Sequence, residues 1–144
     1  MSVVESALIS IKPKYADAII SGAKTVELRR RIPPLKTGTC LWIYATRPRG
    51  AVIGTAIVSG IIKGTPEQIW EACNNDAAVD RCTFDAYFDS SAEAFGIILS
   101  EIARREPISF EKLKEIRSNF HPPQVLMRLT AQEALFLHNE TTAA

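Results

Sequence analysis

The stretch from Val52 to Ile62 restricts the fold more than any other part of the sequence. It reads as one long apolar strand, yet Gly54 and Gly60 interrupt it. Glycine inside a strand weakens a flat ladder and suits a bulge or a sharp bend, as in a sheet that curls on itself. A second strand, Thr39 to Tyr44, precedes it, with Leu41 and Ile43 alternating against Cys40, Trp42 and Tyr44. The loop Thr46-Arg47-Pro48-Arg49-Gly50 joins the two. Further strands are predicted at Ala7–Lys12, Thr25–Arg31, Ala94–Ala103 and Gln124–Leu129. No long helix separates them regularly and no G-x-G-x-x-G follows a strand, which disfavours a dinucleotide-binding sheet. The expected architecture is α+β: a small mixed β-barrel of five to six strands with peripheral helices.

The helices announce themselves through their ends. Pro13 opens the first at a position where its missing N–H costs nothing, and Tyr15, Ala18 and Ile19 share a face as far as Gly22. Thr65-Pro66-Glu67-Gln68 and Thr130-Ala131-Gln132-Glu133 are both capping boxes. Between residues 65 and 92 the chain is helical, with Phe84, Tyr87 and Phe88 in i, i+3, i+4 relation. Ser109 caps a helix carrying Phe110, Leu113 and Ile116. Residues 1–144 are expected to form a single domain, with 140–144 as a flexible tail.

Composition excludes several function classes. Neither an N-terminal leader nor an apolar run of about 18 residues is present, so a cytoplasmic protein without membrane contact is expected. Cys40, Cys73 and Cys82 are odd in number and lack metal-ligand spacing. His121 and His138 stand apart. No metal or cofactor is expected. The net charge of +1 conceals an asymmetry. Residues 1–63 hold ten Lys or Arg against three acids, or +7, and residues 64–144 hold seven against thirteen, or −6. A basic face would attract phosphate, whereas interleaving of the halves would erase it.

Gly22-Ala23-Lys24-Thr25-Val26-Glu27-Leu28-Arg29 concentrates charge at a helix-to-strand corner. Gly22 ends the helix and a strand follows. Strict alternation sets Lys24 opposite Glu27 and Arg29, unless Lys24 lies in the turn before the strand. Two uses are open. A lysine near a carboxylate holds phosphate as a point charge, and a desolvated one with lowered pKa serves as a base or nucleophile. Equally, Glu27 and Arg29 can be a structural pair and Lys24 a solvated charge.

These pieces together resemble the ASCH domain of the PUA-like superfamily. Leu8-Ile9-Ser10-Ile11-Lys12-Pro13 with Tyr15-Ala16 is similar to its first strand and helix. Gly22-x-Lys24-x-x-Glu27-x-Arg29 is similar to its signature, and Ile43-Tyr44-Ala45-Thr46-x-Pro48 with Val52-Ile53-Gly54 to its later strands. Tyr87-Phe88 and Pro122-Pro123-Gln124 resemble further features. The resemblance implies a barrel with a cleft and an RNA- or nucleotide-binding, regulatory role. The alternative it implies is a small hydrolase, either an N4-acetylcytidine amidohydrolase or a ribonuclease. In amidohydrolase-type members a lysine and a threonine three residues later are catalytic. The lysine matches Lys24, but Glu27 replaces the threonine. As an enzyme, the chain would use Lys24 and Glu27. As a binder of RNA, a nucleotide or a nucleoside, it would add Lys12, Arg29, Arg31, Tyr44, Thr46, Arg47 and Gln124. Trp42 and Trp70 could stack on bases, but both fall at core spacing.

Overall fold

In the computed structural model, which describes residues 4–141, the chain builds one six-stranded sheet with five helices around it. β1 (Ser6–Ile11) runs into α1 (Pro13–Ser21), which Gly22 terminates at a φ of 88°. That left-handed conformation is one glycine adopts freely, and it lets the Gly22 N–H return to the Ile19 carbonyl. β2 (Val26–Arg29), β3 (Cys40–Ala45) and β4 (Ala51–Gly64) follow. α2 (Pro66–Cys73) begins at the Thr65/Gln68 capping box, and α3 (Arg81–Tyr87) is capped by Asp80. β5 (Ala94–Ser109), the one-turn α4 (Phe110–Leu113), β6 (Met127–Leu129) and α5 (Ala131–Glu140) complete the order.

The strand order is β2-β5-β4-β3-β1-β6. β1 and β3 are parallel, and every other pair is antiparallel. β3 is buried along its whole length because the sheet is covered on both faces. Ile9, Ile19, Ile43, Ile53 and Ile97 pack on one side, and Leu8, Trp42, Val52, Leu113 and Leu137 on the other. The β4–β5 ladder shifts register three times, at Val52/Gly54, Thr55/Ile57 and Val58/Gly60. Gly54 is needed there: a Cβ at that position would stand 2.6 Å from the Ala103 carbonyl oxygen. These bulges bend the sheet, as the interior glycines predict.

The expected barrel does not close. Among the described residues no ladder joins β2 to β1 or β6, so neither outer strand has a strand partner on its outer side. The sheet nevertheless curls far enough for Arg29 on β2 to donate from Nη2 to the Ser10 carbonyl on β1, at 2.7 Å. Closure fails because other groups claim the β2 edge. The Thr25 and Val26 N–H groups donate to the Asp76 carbonyl, and the Tyr87 hydroxyl donates to the Leu28 carbonyl. The helical insert therefore blunts this edge, satisfying polar groups that a further strand would otherwise have taken.

Several boundaries differ from expectation. β2 ends at Arg29 instead of Arg31, because the chain bends at Arg30. β5 extends to Ser109, because the sheet continues until Ala51 faces Ser109. β6 spans three residues, with residues 124–126 left outside it. The Ser109-capped helix stops after Leu113. At the C-terminus, Glu140 ends α5 and pairs with Lys112, and the Thr141 hydroxyl donates to the Glu106 carbonyl at 2.6 Å. The remainder of the segment expected as a tail, 142–144, lies outside the described residues. Among the described residues no helix is long and apolar enough to cross a membrane. All three cysteines are free thiols.

Candidate functional site

Lys24 occupies the turn between α1 and β2, ahead of the strand. Its N–H is held by the Ala18 carbonyl, which anchors the turn to the helix end. Being outside the strand frees it from the alternation rule and brings its side chain to Glu27. The ammonium donates to the Ala77 carbonyl at 2.6 Å, lies 3.7 Å from Glu27 Oε1 and stands 5.2 Å from the centre of the Tyr15 ring. Glu27 Oε2 accepts from Arg29 Nε at 3.0 Å and lies 3.0 Å from Arg29 Nη2. The same guanidinium reaches Ser10, so it fixes Glu27 and spans the gap in the sheet.

Lys24 is 2 % exposed and Glu27 is 7 % exposed. Burial pushes the Lys24 pKa below its ordinary value, and the Glu27 carboxylate pulls in the opposite direction without overcoming it. A Glu27–Arg29 ion pair and a buried lysine therefore share one cluster.

The cluster opens onto a cavity of about 470 Å³, within the range of small-ligand sites. Ser10, Lys12, Tyr15, Thr83 and Tyr87 line it along with the three charged groups. A second hollow of about 500 Å³ adjoins it and shares Arg29 and Tyr87. Its other walls are Arg30, Arg31, Gln124 and Val125. Both sit at one end of the sheet, and topology explains why. The parallel strands β1 and β3 finish side by side, with Ile11 opposite Ala45. β2 reaches β1 through Arg29, and the chain before β6 approaches from the same end, since Met127 lies opposite Leu8.

The candidates taken from the sequence divide accordingly. Lys12, Lys24, Glu27 and Arg29 meet in the first cavity, and Arg29, Arg31 and Gln124 in the second. Tyr44, Thr46 and Arg47 line neither, though they stand at the neighbouring end of β3. The Thr46 N–H bonds the Ile11 carbonyl there. Tyr44 is 2 % exposed, its ring meets Phe120 edge-on, and burial raises its pKa. Neither tryptophan lines either of these hollows. Trp42 is in the core and Trp70 packs on Phe84. Among the described residues no group of three or more His, Cys, Asp and Glu comes together to hold a metal ion.

Sequence reasoning misses Tyr15 and Thr83 as cavity residues, and gives Tyr87 a packing role and a place in the family resemblance but none in a cavity. Tyr15 and Tyr87 sit at helical apolar spacing and are legible only as core faces. The Arg30 guanidinium stacks 4.9 Å over the Tyr87 ring, a contact between segments far apart in sequence. Ser10 gives its carbonyl to Arg29, while its hydroxyl is buried without a hydrogen-bond partner.

The fold is an open, curled α+β sheet of the PUA-like kind, with a lysine–glutamate–arginine cluster at its seam. The family model for the ASCH domain matches residues 9–116, and the chain belongs to the ASCH domain family. It is 40 % identical over 129 residues to a protein of Zymomonas mobilis called an ASCH domain-containing ribonuclease, covering 90 % of this chain and 87 % of the relative. The crystal structure of ASCH from Zymomonas mobilis superposes with a TM-score of 0.93 at 39 % identity, over 96 % of each chain. Human THYN1, solved in complex with 5-methylcytosine-containing DNA, shares the fold at a TM-score of 0.56 and 10 % identity. That match covers 92 % of this chain and 95 % of the human one.

Proposed function

We propose that this chain is a cytoplasmic RNA-binding protein of the ASCH family that receives one unpaired nucleotide in the Lys24–Glu27 cavity. The observation that carries the reading is the shared cavity itself. A buried ammonium and a buried carboxylate 3.7 Å apart open onto about 470 Å³ walled by Tyr15 and Tyr87. Aromatic walls accept a base face, and the polar end binds an edge or a phosphate. Lys12 and, just past the end of β3, Thr46 and Arg47 continue the surface along which the strand would run. The free thiols agree with a reducing compartment.

A ribonuclease is the second reading, favoured by the 40 % identity to a protein of that name. In it, a ribose 2′-hydroxyl attacks the adjacent phosphorus. The Glu27 carboxylate takes the hydroxyl proton, the Lys24 ammonium faces the charge that builds on the phosphoryl oxygens, and the 5′-oxygen leaves with a proton from solvent. N4-Acetylcytidine hydrolysis draws no comparable support, because the residue three after the lysine is a carboxylate held by Arg29 instead of a hydroxyl.

The test uses a labelled single-stranded RNA. Wild-type protein is expected to bind it with affinity that falls as salt rises, and Lys24→Met and Glu27→Gln are expected to weaken binding while circular dichroism stays native. Time courses on gels then separate binder from nuclease: shortened RNA in wild type, and none in either variant, selects the second reading. Absence of salt-dependent binding to any RNA tried would remove the RNA proposal altogether.

A further inference from the structure

We infer that the hollow lined by Arg29, Arg30 and Arg31 is a phosphodiester subsite, so that the ligand is a single-stranded RNA chain and not a free nucleoside. This rests on the RNA reading above and adds to it the class of substrate.

The surface cations differ in whether they have partners. Lys36, Arg49, Lys63, Arg81, Lys112 and Arg128 each pair with a carboxylate. Arg30 and Arg31, both exposed, have no carboxylate partner among the described residues, a state they share with Lys12, Lys14, Arg47, Arg104 and Lys114; they differ from these in lying side by side in the sequence and lining one hollow. Two adjacent guanidiniums without counter-charge repel one another, and an anion relieves that repulsion. Their placement also favours an anion. β2 ends at Arg29 and the chain bends at Arg30, which breaks the alternation that would send neighbouring side chains to opposite faces. All three arginines therefore line one hollow of about 500 Å³. Arg30 stacks on Tyr87, so its plane is set before any ligand arrives, and a pre-set guanidinium fork suits phosphate oxygens.

The hollow adjoins the Lys24 cavity, because Arg29 and Tyr87 form walls of both. In a polynucleotide a base and its neighbouring phosphodiester are covalently joined and separated by one ribose. Two adjoining pockets, one aromatic-walled and one arginine-lined, match that spacing of chemistry. A free nucleoside would leave the second pocket and its charges unused. Gln124, which also lines the hollow, carries both a donor and an acceptor that suit a ribose hydroxyl.

The experiment compares wild type with the Arg30→Ala/Arg31→Ala double variant on a mixed-sequence single-stranded RNA ten-mer, across a salt series. The double variant is expected to bind about 10- to 100-fold more weakly. Its log–log salt slope is expected to be shallower by about 0.7 for each phosphate that the arginines no longer neutralise. Ten-mers carrying one neutral methylphosphonate linkage, scanned along the chain, supply a second readout. One position should weaken wild type and leave the double variant indifferent. If wild type binds the ten-mer but the double variant matches it in affinity and slope, the subsite is wrong and the RNA reading survives. If wild type binds no RNA, both fall together. Arg30→Gln and Arg31→Gln singles repeat the comparison with longer side chains, each expected to show part of the loss.

Discussion

The two adjoining hollows hold opposite kinds of charge. In the first, Lys24, Glu27 and Arg29 are desolvated and engaged with one another and with backbone carbonyls. In the second, Arg30 and Arg31 keep their water and have no carboxylate among the described residues. A buried ion is tolerated only with partners, so the first group is part of what holds the seam of the sheet together. Exposed cations cost the fold little, so the second group is at liberty to meet an anion from outside. Proximity to a site thus says less about a residue's role than whether its charge is already answered.

The sharpest way to break that contrast is Glu27→Ala, which leaves two cations facing each other without a carboxylate. It is expected to cost about 3–5 kcal/mol in urea denaturation. A loss below about 1 kcal/mol would mean the cluster is not structural. Next in size, Lys24→Met strands the Ala77 carbonyl and is expected to cost about 1–3 kcal/mol near neutral pH. Its pH dependence is more telling. The folded Lys24 has a pKa below the unfolded value of 10.5, so between the two the unfolded chain binds more protons. Wild-type stability relative to Lys24→Met should therefore rise as pH climbs toward 10.5, and denaturant midpoints at a series of alkaline pH values measure it. A flat difference would place the lysine in water. Smallest of all, Arg30→Ala/Arg31→Ala should leave the unfolding free energy within about 0.5 kcal/mol of wild type. A larger loss would give these arginines a place in the architecture and erase the distinction.

Much of the fold was legible because local signals agreed with it. The Thr65 and Thr130 capping boxes form as expected, and Gly22 ends α1 as its conformational freedom suggests. Gly54 marks a bulge. Failure to close into a barrel was not legible, because it depends on Asp76 and Tyr87 reaching the β2 edge from an insert about 50 residues away in sequence or more. The convergence of Lys24 with Glu27 was half legible. Alternation opposed it, and the alternative, a turn position for Lys24, is where the residue lies. Tyr15 and Tyr87 were hidden by their helical spacing, which looks the same whether a ring packs under a sheet or lines a hollow. The charge asymmetry between the two halves did not forecast where free cations gather, since β5, from the acidic half, is inserted between β2 and β4.

The unzipped side of the sheet has one more implication. A fully hydrogen-bonded cylinder would have to melt part of its ladder to admit anything, and it would do so slowly. Here the doorway is built in: among the described residues no backbone ladder joins β2 to β1, and the hydrogen bond across the gap comes from a side chain, Arg29. A guest could thus come and go past the Lys24 ammonium while the six strands stay as they are.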